Sequence, residues 1–113
     1  MKYFRIFPLL VISSCYSVPD APDFVLEVNR DYMSVADCAW LTFRTKEGWT
    51  RDNLDSMKQV SFTFGDDTSK AGRIDITSTG ADSARVSSHV MQAIWGKDFH
   101  AKRNRPIFEA CAS

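Results

Sequence analysis

The sequence predicts a two-layer α+β fold, with two helices on one face of an antiparallel sheet in the order β-α-β-β-β-α. Apolar residues stand at every second position in four segments, as in strands that bury one face. Two other segments space their apolar residues by three and four, as amphipathic helices do. A chain of 113 residues, 44% of them hydrophobic, can bury one modest core. We therefore expect a single domain over residues 24–113.

The predicted strands fall on a short N-terminal segment and on three segments in the second half of the chain. They cover residues 24–28, 60–64, 74–77 and 84–90. The stretches GDDTSKAG and STGADS separate the last three and are rich in turn-forming residues, which indicates a meander of hairpins. Residues 83–95 also allow a helix, although the alternation of small or aliphatic residues with polar ones favours the strand.

Residues 46–58 show no clear period and are mostly polar. We expect a loop there, with a short helical turn from Arg51 to Met57. Trp49 is the exception in this stretch, because a tryptophan is more often packed on a core than left in solvent. We interpret it as a lid over the core, and the alternative is an exposed contact.

Two helices are predicted from apolar spacing and from their end signals. The first covers residues 31–45, with Gly48 as its stop signal. Its apolar positions are Tyr32, Val35, Ala36, Ala39, Trp40 and Phe43. The second lies near the C-terminus, with Asn104 as its N-cap and Pro106 in its first turn. The spacing of Ile107, Phe108 and Cys111 then predicts an inward face.

The N-terminus has the pattern of a processed export signal. Lys2 and Arg5 precede the apolar string IFPLLVI, which is far shorter than the roughly 20 residues that span a bilayer. Ile12-Ser13-Ser14-Cys15 follows directly and resembles the lipobox of bacterial lipoproteins. The resemblance covers residues 1–15 alone. A competing interpretation is an ordinary secretory signal cut before Val18, which would remove the cysteine.

Membership of the lipoprotein class would imply cleavage after residue 14 and acylation of Cys15 on its sulfur and its amine. Residues 15–23 would then form a lipidated tether, and their two prolines and two aspartates favour an extended path. In this class an aspartate after the cysteine retains the protein at the inner membrane. Because Tyr16 stands there instead, the resemblance implies an outer-membrane lipoprotein that faces the periplasm.

Cysteine counting supports the same interpretation independently. Three cysteines in an exported chain leave one odd thiol, and acylation of Cys15 would consume it. Cys38 and Cys111 are then an even pair in an oxidising compartment, where small domains use disulfides to supplement a limited core. We expect a bond between them that links the two helices. The alternative is two free cysteines that pack as small hydrophobes.

The sequence contains no motif for catalysis or for a cofactor. HExxH, CxxC and GxSxG patterns are missing, and the glycines form no phosphate-binding cluster. Fourteen basic side chains balance fourteen acidic ones, so a charge-driven role on nucleic acid is disfavoured. We therefore expect neither an enzyme nor a small-molecule substrate, metal or cofactor.

One basic and aromatic stretch, WGKDFHAKRNR at residues 95–105, is a candidate interaction surface. Its candidate contact residues are Trp95, Lys97, Lys102, Arg103 and Arg105, and the alternative is a solvated connector whose aromatic rings pack inward. With this surface, we expect a lipid-anchored interaction or assembly module that binds another envelope or secreted protein. The alternative function is a periplasmic inhibitor or immunity protein against a toxin or a cell-wall hydrolase.

The cysteine assignments predict the mass of the native protein. Protein isolated from the membranes of its own cells should have the mass of residues 15–113 plus acyl groups, less the two hydrogens lost to the disulfide. Intact mass spectrometry measures this directly, and Cys15→Ala should give no acylated product. A water-soluble native protein without fatty acid would contradict the lipoprotein interpretation.

Overall fold

The computed structural model describes residues 19–65, 70–90 and 99–112. The helices and strands follow in the order β1 (Phe24–Val28), α1 (Tyr32–Phe43), β2 (Trp49–Leu54), β3 (Gln59–Gly65), β4 (Lys70–Gly80), β5 (Ser83–Val90) and α2 (Phe99–Ala110), with a 3₁₀ turn at Asp55–Met57. The predicted α+β class is confirmed. The signal peptide and the candidate residues Cys15, Trp95 and Lys97 lie outside the described residues.

One antiparallel sheet contains the strands in the order β1-β5-β4-β3-β2. The later strands form a meander, whereas β1 pairs with β5 and closes the other edge of the sheet. Val86 lies between Leu26 and Ile76 in the register, and Ile76 continues the row to Val60. Residues 83–90 are therefore a central strand, which excludes the helical alternative for them.

The fifth strand, β2, corrects the expectation of a loop and short helical turn over residues 46–58. Only Asp55–Met57 is helical, as a 3₁₀ turn. The strand carries no alternating apolar signal because it lies at the edge of the sheet and most of its residues are exposed. Two contacts hold it under α1, because Arg51 donates to the Asp37 carboxylate at 2.7 Å and the ring of Trp49 packs on Phe43. Pairing with β3 and the packing of Trp49 therefore stabilise this strand without an alternating apolar pattern.

Both helices lie on the same face of the sheet, and the core fills the space between the two layers. The ring of Phe43, at the end of α1, is the centre of the core. It lies 5.2 Å from Phe62 of β3, 5.6 Å from Phe108 of α2 and 4.8 Å from Trp49 of β2, measured between ring centroids. Trp49 is half-buried against this cluster, which confirms its predicted role as a lid over the core.

Polar side chains cover the opposite face of the sheet and form a connected network. Ser61 donates to the Asp75 carboxylate at 2.7 Å, and Arg73 donates to the other oxygen of that carboxylate at 3.0 Å. Gln59 links Ser61 to Thr77. This face therefore satisfies its polar groups locally, and the alternation seen in the sequence corresponds to one apolar and one polar face.

The first helix begins one residue after Asp31, whose carboxylate accepts a hydrogen bond from the Ser34 amide at 3.1 Å. This is the geometry of an N-cap, and it satisfies one of the backbone N–H groups that have no acceptor in the first turn of a helix. The helix ends at Phe43, and Gly48 follows in a left-handed conformation with φ of 90°. The predicted helix over 31–45 is thus confirmed with slightly shorter bounds.

The second helix begins earlier than its predicted end signals indicate. It starts at Phe99, so Asn104 is inside the helix and not its N-cap, and Pro106 lies in the interior and not in the first turn. Asn104 is buried on the face that also carries Ala101, Phe108 and Cys111. The error arose because Asn104 is a polar residue at an inward position, and a polar residue of this type is also typical of an N-cap. Of the described helices, none is both long and apolar enough to cross a membrane.

A disulfide joins the two helices through Cys38 and Cys111, with 5.8 Å between their Cα atoms. This confirms the predicted pairing. Arg30, from the turn between β1 and α1, donates to the carbonyl oxygen of Cys111 at 2.8 Å. A cationic donor at a helix C-terminus satisfies a carbonyl group that has no donor within the helix, and it interacts favourably with the negative end of the helix dipole. The last turn of α2 is therefore held both covalently and electrostatically.

Removal of this disulfide should destabilise the domain strongly. The bond closes a separation of 73 residues, and the double variant Cys38→Ala/Cys111→Ala should lose about 4 kcal/mol of unfolding free energy because the unfolded chain regains that freedom. Urea denaturation measures the loss. Wild-type protein denatured with a reducing agent should lose a similar amount, and a double variant within about 1 kcal/mol of wild type would contradict the expectation.

Candidate functional site

A cavity of about 590 Å³ opens on the helix side of the sheet, beyond the end of α1 and beside the first half of α2. Its described lining divides into an apolar floor and a polar wall. The floor consists of Trp49, Phe64 and Val90, from three different strands. The wall comes from Lys46 and Glu47 after α1 and from His100, Arg103 and Asn104 of α2. We call this site the basic cavity.

The floor of the basic cavity is one row of residues across the sheet. In the register, Trp49 is opposite Phe64, Phe64 is opposite Gly72, and Gly72 is opposite Val90. Gly72 has no side chain, so the floor is recessed between Phe64 and Val90. A Cβ on Gly72 would lie 3.0 Å from a Val90 methyl group. The aromatic rings of Trp49 and Phe64 lie 5.2 Å apart at one end of the row.

Gly48 allows this aromatic pair to form. Its φ of 90° belongs to the left-handed region that residues with a side chain seldom adopt. A Cβ on Gly48 would also lie 2.9 Å from the ring of Phe64. The glycine was predicted as a helix stop, and in the structure it additionally turns the chain into β2 so that Trp49 reaches the floor.

Three basic side chains of the wall lie within electrostatic range of one another. Burial lowers the pKa of Lys46 from its usual 10.5, and the charge of Arg103 lowers it further. Burial is also the largest cause that lowers the pKa of His100 from 6.5, with Arg103 and Lys46 acting in the same direction and Asp23 opposing them. Glu47 is the one acidic residue of the described lining. The described lining therefore has more basic than acidic side chains, and near pH 7 the His100 imidazole favours the neutral form.

Asn104 brings an unsatisfied donor to this wall. The residue is only 3% exposed, and its side-chain Nδ2 finds no hydrogen-bond acceptor in the part of the chain that the structure describes. A buried amide donor without an acceptor costs about 1–3 kcal/mol. Sequence reasoning missed this role. Position 104 lies four residues before Phe108 and seven before Cys111, so helical spacing places it on the same inward face. The wall therefore includes a residue with a buried amide donor that lacks an acceptor among the described residues.

Of the candidate interaction surface, the three described basic residues lie on different sides of α2, while Trp95 and Lys97 are outside the described residues. Arg103 belongs to the basic cavity, and Lys102 is exposed outside the described lining. Arg105 lies 6.0 Å above the ring of Phe24 and pairs with Glu109 at 3.2 Å, toward β1. Successive helix positions point in different directions, so a basic run in sequence is distributed around α2.

The N-terminal segment before β1 also contacts the sheet. The Asp23 amide donates to the Ser88 carbonyl at 2.7 Å, and the Pro19 carbonyl lies 3.1 Å from Nδ1 of His89 on the polar face. Residues 19–23, part of the predicted tether, therefore lie along β5. The described residues hold no group of three or more metal-ligating side chains arranged for an ion.

His100 predicts a pH dependence of stability. Because its pKa is lower in the folded protein than the usual 6.5, protonation favours the unfolded chain, and the stability that the neutral imidazole contributes is lost as the pH falls below that usual value. The variant His100→Gln should lose less unfolding free energy than wild type between about pH 7.5 and about pH 5.5.

Urea denaturation at both pH values measures this difference. Arg103→Gln should also weaken the pH dependence, because one cause of the lowered pKa is removed. The matched control Lys102→Gln removes a positive charge outside the cavity lining and should behave as wild type. A His100→Gln curve parallel to that of wild type would contradict the assignment.

Comparison with known proteins adds no relative to this picture. No protein-family model matches the chain, and no curated protein is detectably similar to it. An inference about function therefore rests on the basic cavity and on the residues that line it.

Proposed function

We propose that this chain is a non-enzymatic, lipid-anchored module of the cell envelope that binds a protein partner through the basic cavity. One observation carries the proposal, namely a cavity that combines an aromatic floor with a positive wall in a small disulfide-linked domain. Aromatic and arginine residues are the types that contribute most to protein interfaces. The volume lies in the range of binding cavities, about 300–1,000 Å³.

The composition of the wall supports binding over catalysis. The described lining offers one carboxylate, Glu47, and one imidazole, His100. It contains no serine, threonine or cysteine to act as a nucleophile beside them. The remaining wall residues supply positive charge and an amide donor, which are features of recognition.

Contacts of the N-terminal segment support a position close to the membrane. Pro19 and Asp23 already touch β5. If Cys15 is acylated, four residues connect the lipid to Pro19, and they span at most about 14 Å. The polar face of the sheet, where Pro19 meets His89, is then near the bilayer, and the basic cavity on the opposite face is available to a partner in the periplasm.

The inhibitor alternative calls for different geometry. An inhibitor of a hydrolase commonly inserts a projecting segment into the partner's active site. The basic cavity is concave and instead receives a group from its partner. This difference favours the interaction module as the function of this site.

Affinity isolation tests the proposal with a matched pair of charge variants. The full lipidated protein, solubilised from envelope membranes, should recover a defined partner. Arg103→Glu should lower that recovery about tenfold or more, whereas Lys102→Glu, the same change at the neighbouring exposed position, should not. Equal recovery by the two variants, or no partner at all, would count against the proposal. A secreted hydrolase that loses its activity on binding would favour the inhibitor.

A further inference from the structure

We propose that two copies of this chain associate along β1, so that their two five-stranded sheets join into one continuous antiparallel sheet. The proposed function does not use this edge of the sheet, and the dimer does not depend on what the basic cavity binds. Three properties of the described residues support it, namely the composition of the two edge strands, the symmetry of the β1 sequence and the charges on the neighbouring side of α2.

The β1 edge lacks the features that keep edge strands from pairing with other chains. Such features are prolines, lysines, bulges and unpaired charges. The strand has the sequence FVLEV and forms five consecutive register pairs with β5, its one neighbour among the described strands. Its single charge, on Glu27, is paired with Arg85 at 2.6 Å. Within the described part of the chain, the outer side of β1 is therefore available to a further strand.

The sequence of β1 is suited to pairing with a second copy of itself. In a symmetric antiparallel pair the two-fold axis is perpendicular to the sheet and passes through a residue that lies opposite itself. With Leu26 on the axis, all five residues of β1 pair, and Phe24 lies opposite Val28 of the second copy. An axis through Glu27 would instead place two carboxylates opposite each other. The favoured register therefore joins two partly buried leucine side chains and brings no like charges together.

The other edge strand, β2, is less suited to pairing with itself. Its sequence is WTRDNL, and the two registers that pair five residues have their axis on Arg51 or on Asp52. An axis through Asp52 would place two carboxylates directly opposite each other, which is destabilising in a sheet. An axis through Arg51 would crowd two side chains that each already bind Asp37 within their own copy. Association through β1 therefore ends at a closed dimer.

Charges on α2 complement the same symmetry. Because α2 contacts both β1 and β5, and strands are about 4.8 Å apart, the α2 helices of the two copies would lie roughly 10 Å apart, near the distance at which helices pack. Arg105 lies over the Phe24 ring of β1 and pairs with Glu109. The axis reverses the direction of the second helix, so the arginine of each copy is on the side of the other copy's glutamate. The two exposed ion pairs would then form a neutral group of four charges.

The two-fold axis is also compatible with the proposed membrane anchor. Since the axis is perpendicular to the sheet, the polar faces of both copies lie on one side and the helices lie on the other. Pro19 contacts His89 on the polar face, so two acylated N-termini would reach the same bilayer. Attachment to one membrane raises the effective concentration of the two copies, which favours association through a short edge contact.

Disulfide trapping in envelope membranes tests the register. On the axis, the Cα atoms of the two Leu26 residues would be about 4.5–5.5 Å apart, within the range that a disulfide bridges. Leu26→Cys in the full chain should therefore give a covalent dimer on mild oxidation. Mass spectrometry of a digest should find the peptide around position 26 joined to itself.

Val25→Cys is the matched control for this trapping. Val25 is 43% exposed, so random collisions would link position 25 at least as readily as position 26. In the proposed register, the two Val25 residues are a diagonal pair with Cα atoms about 7–8 Å apart, beyond the range of an unstrained disulfide. The dimer yield should be about tenfold lower than for Leu26→Cys, and Asp52→Cys on the other edge should behave like Val25→Cys. Equal yields, or no linkage through position 26, would overturn the inference.

A charge reversal on α2 provides an independent readout. Energy transfer between copies with donor and acceptor dyes at the C-terminus measures association of the full lipidated protein in phospholipid vesicles. Arg105→Glu should weaken association about tenfold, because two carboxylates of each copy then face two of the other. The double variant Arg105→Glu/Glu109→Arg should restore it.

This second measurement stands even if Leu26→Cys fails to fold, because Arg105 and Glu109 are exposed. Energy transfer in the wild type no higher than in Arg105→Glu would contradict the dimer. Failure of the double variant to restore association would contradict the proposed facing of the two α2 helices.

Discussion

The disulfide between Cys38 and Cys111 is the constraint on which the site depends. The second helix is separated from the sheet by residues 91–98 and contains a proline at position 106, so its own helical preference is limited. The disulfide contributes about 4 kcal/mol and links α2 to α1. The contact between Phe108 and Phe43 positions α2 over the sheet. The Arg103 and Asn104 side chains line the cavity only because α2 is held in this way.

The basic cavity carries energetic costs that the rest of the domain has to offset. Lys46 and Arg103 repel each other and disfavour a charge on His100, and the Asn104 amide lacks an acceptor among the described residues. Each is a small term, yet the total stability of a domain is only about 5–15 kcal/mol. Local conflicts of this kind concentrate at functional sites in natural proteins. The aromatic cluster around Phe43 and the disulfide supply the stability that offsets these costs.

Apolar periodicity was informative wherever a segment buries one face. It predicted β1, α1 and the strands β3 to β5, because Val60, Ile76 and Val86 stand in one buried row. It failed for β2, whose residues are mostly exposed and which forms by backbone pairing with β3. The end signals also misplaced the start of α2, because the buried polar residue Asn104 resembled a cap. Both errors fall on elements that line the basic cavity.

Residue type and spacing along single elements were enough to predict the fold class and the polarity of the two faces of the sheet, and the number of cysteines was enough to predict the pairing of Cys38 with Cys111. The tertiary structure alone decided which residues of distant elements meet. Trp49, Phe64, Val90 and Arg103 come from four elements and form one cavity because sheet register and helix docking bring them together. No local pattern encodes that meeting, because it depends on contacts between parts of the chain that are far apart in sequence.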